Sequence, residues 1–87
     1  MIHVTDVRHR TGHVLHVVFS DGTEGDVDLG PHLEGSVLGA LRDPVRFRDA
    51  YVDPELGTVV WPGGADVAPE FLYEAIKSGK RSVAEPG

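Results

Sequence analysis

The sequence predicts an α+β domain: a small twisted antiparallel sheet of about five strands, with a C-terminal helix and a short middle helix packed on it. Three observations carry that prediction. Two alternating apolar runs meet near Gly12, a Gly- and Pro-rich centre interrupts any long element, and an apolar stripe of helical period follows Pro69.

Residues 2–9 and 13–20 read as strands joined at Arg10-Thr11-Gly12, where glycine supplies the positive φ of a short hairpin loop. In the second strand Leu15, Val17 and Phe19 share one face. The first is out of phase, because Ile2 and Val4 fall on even positions and Val7 on an odd one. A bulge near Thr5 and Asp6 restores the phase by adding one residue. After the turn at Ser20-Asp21-Gly22, residues 23–29 form a third strand with Val27 and Leu29 inward and Glu24, Asp26 and Asp28 outward.

Leu33, Val37, Leu38 and Leu41 have helical spacing, with Ser36 placed as an N-cap. Gly35 and Gly39 limit that helix to about two turns. Asp43-Pro44 reads as a second cap whose single turn delivers Phe47 to the core. Residues 50–52 and 58–61 make a second hairpin around Asp53-Pro54-Glu55-Leu56-Gly57. The last helix begins at Pro69, carries Glu70 at its positive end, presents Phe71, Leu72, Ala75 and Ile76 as its apolar stripe, and ends at Gly79. Asp66 is placed to cap the preceding turn or the first helical amides, since Ala68 has no acceptor. One domain over residues 1–81 is expected, with 82–87 as a frayed tail.

A chain of 87 residues has room for one modest core. Its 14 acidic and 8 basic residues give a formal charge of -6, which disfavours nucleic acid as a partner because phosphate rewards clustered cations. There is no cysteine, hence no disulfide framework, thiolate nucleophile or cysteine-based zinc site. The N-terminus lacks the pattern of a signal peptide and no segment has the length of a membrane span, so a cytoplasmic address is expected.

One stretch is far more specific than the rest. It is T-V-V-W-P-G-G-A-D-V-A-P-E-F-L-Y, residues 58–73. Together with Leu15, Val17, Phe19, Asp21 and Gly22, then Asp28-Leu29, then Leu41 and Asp43, its Trp61, Pro62, Gly64, Asp66, Pro69, Leu72 and Tyr73 make the chain resemble the small bacterial family called domain of unknown function 2442. The resemblance covers about residues 2–76; where the family often has Asn after the proline, this chain has Gly63. It implies a small α+β fold and no established activity. Some family members carry a helix-turn-helix domain after this module, and the 87 residues here are expected to be the module alone. Members are often encoded beside another small protein, in an arrangement like a toxin–antitoxin pair.

Candidate chemistry is sparse. His9 and His13 could meet across the hairpin loop and hold adventitious nickel or zinc, but the sequence offers them no third ligand, so no metal and no cofactor is expected. His16 opposite Asp6 could act as a base for Ser20 or Thr5, yet no strained turn or oxyanion nest surrounds either hydroxyl, and no enzyme is expected. Trp61, Asp66 and Tyr73 remain as contacts for a partner or ligand, with core packing and capping as the competing roles of the first two. The expectation is a non-enzymatic protein-interaction module, an antitoxin-like or regulatory partner of a neighbouring small protein. The alternative is a small-molecule binding domain or minor enzyme near Trp61, Asp66 and Tyr73. A free sheet edge could also pair two copies as a homodimer.

Overall fold

A computed structural model describes residues 2–78. The first hairpin joins β1 (Val4–Thr11) to β2 (Val14–Phe19) through Gly12, at φ 54°, and His13. The loop falls slightly later than predicted. Val4 pairs with Phe19 but Asp6 with Val18, leaving Thr5 as an extra residue, so the expected bulge is there. It puts Val4 and Val7 on the inner face together, with Val4 fully buried and Val7 packed against the core. Ile2 lies before the strand and is 44% exposed, so it does not join that face.

The third strand, β3 (Glu24–Asp28), pairs antiparallel with β2, Leu15 opposite Val27 and His16 opposite Asp26. Leu15, Val17, Phe19 and Val27 are buried, as the alternation requires. The chain then makes a 3-10 turn at Gly30–His32, and a single α turn, α1 (Gly35–Leu38), tightens into a second 3-10 turn at Gly39–Arg42. The predicted two-turn helix is therefore half α-helical, and it starts with Glu34, not Ser36, in the N-cap position. The glycines at its start and its middle explain the interruption. The next turn, α2 (Pro44–Phe47), follows expectation: Val45 N–H donates to Asp43 Oδ1 at 3.0 Å, and Phe47 is fully buried.

A second hairpin, β4 (Tyr51–Asp53) with β5 (Thr58–Val60), forms its own two-stranded sheet. The five predicted strands are present, but as sheets of three and two, not one. The two sheets touch through β1, where Val4 N–H donates to Gly57 O at 2.9 Å. The bulge at Thr5 breaks the regular spacing of β1 one residue later, so that bond is not extended into a ladder.

The last helix, α3 (Pro69–Ser78), buries Leu72 and packs Ala75 and Ile76 against the core. Gly25 admits it to the sheet: a Cβ at that position would come within 3.1 Å of Ile76 Cγ2. Phe71 departs from its predicted place on the inner stripe, being 37% exposed, with its ring edge-on to His32 at 4.9 Å. The predicted helix end at Gly79 and the tail 82–87 lie outside the described residues.

Trp61, at the end of β5, is 1% exposed and donates its indole N–H to Phe47 O at 2.7 Å, with the two rings 5.6 Å apart. Burial of both the ring and the bond makes this contact costly to lose. Trp61→Phe should lower unfolding free energy by about 2–4 kcal/mol, through the void and the orphaned carbonyl. Asp43→Ala, which removes only a cap, should cost about 1 kcal/mol. Urea denaturation followed by circular dichroism checks both values and their order.

Candidate functional site

A concavity of about 820 Å³ runs between α3 and the loop of the second hairpin. The loop is built by Asp53, whose Oδ1 accepts from the amides of Glu55 (2.8 Å) and Leu56 (3.2 Å), while Gly57 N–H closes on Asp53 O at 2.7 Å. Gly57 has φ 68°, and an added Cβ there would lie 3.0 Å from His3 Cβ, so the loop requires glycine at its last position. Leu56 is thereby presented outward, 57% exposed.

Across the groove, α3 supplies Pro69, Glu70, Tyr73 and Glu74. Tyr73 is fixed at both ends: its ring packs edge-on to Phe19 at 5.1 Å, and its hydroxyl donates to Asp21 Oδ2 at 2.7 Å. Asp21 also accepts from Thr23 N–H at 2.9 Å, and this bond first, then that from Tyr73, holds its carboxyl below the usual range. The end wall is Ile2 and His3, tied to the sheet by His3 N–H on Ser20 Oγ (3.1 Å) and Ser20 N–H on His3 O (2.8 Å). An apolar floor results. Around it stand the exposed carboxylates of Glu55, Glu70 and Glu74, none ion-paired to a described residue.

The structure separates the three residues singled out in the sequence. Trp61 is sealed in the core and cannot touch a partner. Asp66 is on the other flank of α3, and only Tyr73 lines the groove. The capping role of Asp66 is also corrected. After the turn at Pro62-Gly63-Gly64 the chain runs back along β5, with Trp61 N–H on Ala65 O at 2.9 Å and residue 66 bridged to Val60. This extended pairing leaves the carboxylate without a hydrogen bond to any described residue, and the amides of Phe71 and Leu72 bond Ala68 O instead. Leu56, Glu55, Glu70 and Glu74 were missed. The available signal was Leu56, an apolar residue at the tip of a polar loop.

The histidines are likewise redistributed. His9 and His13 both pack edge-on to Phe47, and each Nε2 bonds a backbone carbonyl, of Gly12 and Arg42 respectively, at 3.0 Å. His16 lies opposite Arg8 and Asp26, not Asp6. Its Nδ1 meets Asp26 Oδ1 and its Nε2 meets Glu24 Oε1, both at 2.8 Å. Ionised carboxylates only accept, so both bonds are made together only when the ring is an imidazolium. The bond to Glu24, then that to Asp26, raises its pKa above 6.5 against a smaller opposing effect of burial. Thr5 Oγ1 donates to Val18 O at 3.2 Å and Ser20 Oγ accepts from His3 N–H, so neither hydroxyl is engaged by His16.

Fold and site together define a small α+β domain with an open, acid-rimmed apolar groove. The chain belongs to the family described as "Protein of unknown function (DUF2442)", whose sequence model matches residues 4–78. A solved structure from Nitrosomonas europaea, described as a "putative DNA binding protein", has the same fold: the TM-score is 0.72 at 22% identity over 94% of this chain. This chain spans about half of that one, 54% of its length. No curated protein matches the chain. The expectation that nucleic acid is disfavoured as a partner is overturned by that description, because net charge says nothing about a local surface or about an attached domain. Among the described residues no helix is long and apolar enough to cross a membrane.

His16 gives a pH test. Its folded pKa is above the ordinary 6.5, so its contribution is complete below 6.5 and is lost as pH rises through the folded value. The stability difference between the wild type and His16→Gln should therefore shrink as pH is raised from below 6.5 upwards, in urea melts at a series of pH values. A constant difference would show that the ring is not held as a cation.

Proposed function

We propose that the domain is a non-enzymatic docking module, taking an apolar, basic segment of a protein partner into the groove between Tyr73 and Leu56. The observation that carries this reading is the combination of exposed Ile2 and Leu56 with three carboxylates that pair with no cation among the described residues. Exposed apolar surface ringed by polar groups is the usual anatomy of an interface, and the acidic rim selects a basic occupant. The toxin–antitoxin-like gene arrangement of the family makes the product of a neighbouring gene the first partner to try, with this chain as the antitoxin-like or regulatory member in the cytoplasm. Rigid placement of Tyr73 by Phe19 and Asp21 supports an anchor that needs no ordering on binding.

A second reading is favoured by the solved structure described as DNA binding. Here the module contacts a duplex, alone or through a partner. Fluorescence anisotropy with duplex DNA over a salt series tests it, since direct contact gives an affinity that falls steeply with salt.

For the docking reading, isothermal titration with the neighbouring gene's product should show a complex that Leu56→Asp weakens by at least about tenfold and that Glu70→Lys with Glu74→Lys weakens comparably. The variants alter exposed positions, so their melting curves should stay near wild type. Binding unaffected by both changes would move the interface elsewhere.

A further inference from the structure

One anchor of the groove already carries a cation of the chain itself. Lys77 stands one turn beyond Tyr73 on α3, and its stem runs back along the helix so that Nζ lies 5.8 Å from the centre of the Tyr73 ring. A carboxylate within ordinary reach is passed over. Glu74 is three residues away on the same helix, yet Lys77 forms no ion pair among the described residues. Tyr73 in turn is held in place, because Phe19 packs on its ring and Asp21 accepts from its hydroxyl. Along α3 the groove therefore presents Glu70, Tyr73 and Glu74, with a positive charge stationed at the ring.

We propose that Lys77 sets the specificity of the groove: its ammonium holds the cation position at Tyr73, so a docking segment places its own basic side chains at Glu55 and Glu70 and only apolar groups at the ring. This rests on the docking reading above and adds where on the groove the partner's charge sits. Two effects act together. An aromatic face attracts a cation, so a bare Tyr73 ring would be a seat for an incoming lysine or arginine. With Lys77 there, a second cation at that point meets a like charge instead. Glu70 escapes this repulsion. It lies two turns of helix from Lys77, about 10 Å along the axis, a separation at which physiological salt screens most of the interaction. The partner that fits is a segment with apolar residues against Tyr73 and Leu56 and its basic residues clustered to one side.

The test compares the wild type with Lys77→Met, which keeps the apolar stem and the helix propensity and removes only the charge. Lys77 is exposed, so the melting temperature should stay near wild type. The probes are the blocked peptide acetyl-Leu-Lys-Leu-Lys-amide and its glutamine counterpart, titrated at millimolar concentrations into the 15N-labelled full chain. Amide shifts should centre on Leu56, Gly57, Tyr73 and Glu74. Lys77→Met should tighten the lysine peptide about threefold at low salt, the scale of an exposed charge pair, and lose that gain in about 0.5 M sodium chloride. The glutamine peptide should bind both chains equally. An equal gain for the two peptides, no gain for either, or a gain that survives high salt overturns the proposal; the docking reading still stands if Leu56→Asp releases the lysine peptide. Absence of localised shifts with every pairing of peptide and chain overturns the docking reading and this proposal with it.

Discussion

The bond between the indole of Trp61 and the carbonyl of Phe47 joins parts of the chain that share no ladder. Phe47 arrives on a single helical turn set by Asp43 and Pro44, and Trp61 closes the short second hairpin. Neither unit is long enough to persist alone, since an isolated turn or a three-residue pair of strands does not offset its own ordering entropy. Their mutual burial makes each one the other's support. His13, edge-on to the same phenyl ring, brings the first hairpin to that junction, so the three-stranded sheet, the middle segment and the second hairpin meet at one ring. With so small a core, stability is concentrated there.

Local chemistry made much of this legible. The phase slip between Val4 and Val7 could only be repaired by an added residue, and Thr5 is that residue. Asp43-Pro44 and Asp53…Gly57 announced their turns because the side chains that cap them are short-range acceptors adjacent in sequence. What stayed hidden depended on relations between distant segments. One sheet or two is decided by whether β1 can continue pairing beyond Gly57, which no local pattern encodes. Phe71 fits a helical stripe by spacing alone, yet in the fold it is partly exposed and edge-on to His32. The candidate groove is assembled from the chain start, a hairpin loop and α3, so only Tyr73 among its members stood out beforehand. Asp66 was read as a cap because it precedes a helix, whereas pairing of its backbone with Val60 had already turned it aside.

Charge is arranged in two different ways on this acidic molecule. On the outer face of the large sheet, opposite charges neutralise one another: His16 is clasped by Glu24 and Asp26, Arg10 reaches Asp26 at 3.5 Å, and Arg8 meets Asp6 at 3.3 Å. Around α3, Glu70 and Glu74 have no such partner among the described residues. A net charge of -6 is thus a poor description of either surface. The sheet face is nearly self-compensated, whereas Glu55, Glu70 and Glu74 gather on the rim of one groove.

The hairpin loop from Asp53 to Gly57 divides sharply in its tolerance of change. Its two ends carry the geometry: Asp53 gathers the amides, and Gly57 both takes the left-handed turn and bonds Val4. The side chains between, of Pro54, Glu55 and Leu56, are exposed, and only the backbone amides of Glu55 and Leu56 serve the turn. Such an arrangement works like a fixed mount with an exchangeable tip. Relatives of this chain could acquire new partners by altering three adjacent codons, leaving the folding of the domain untouched.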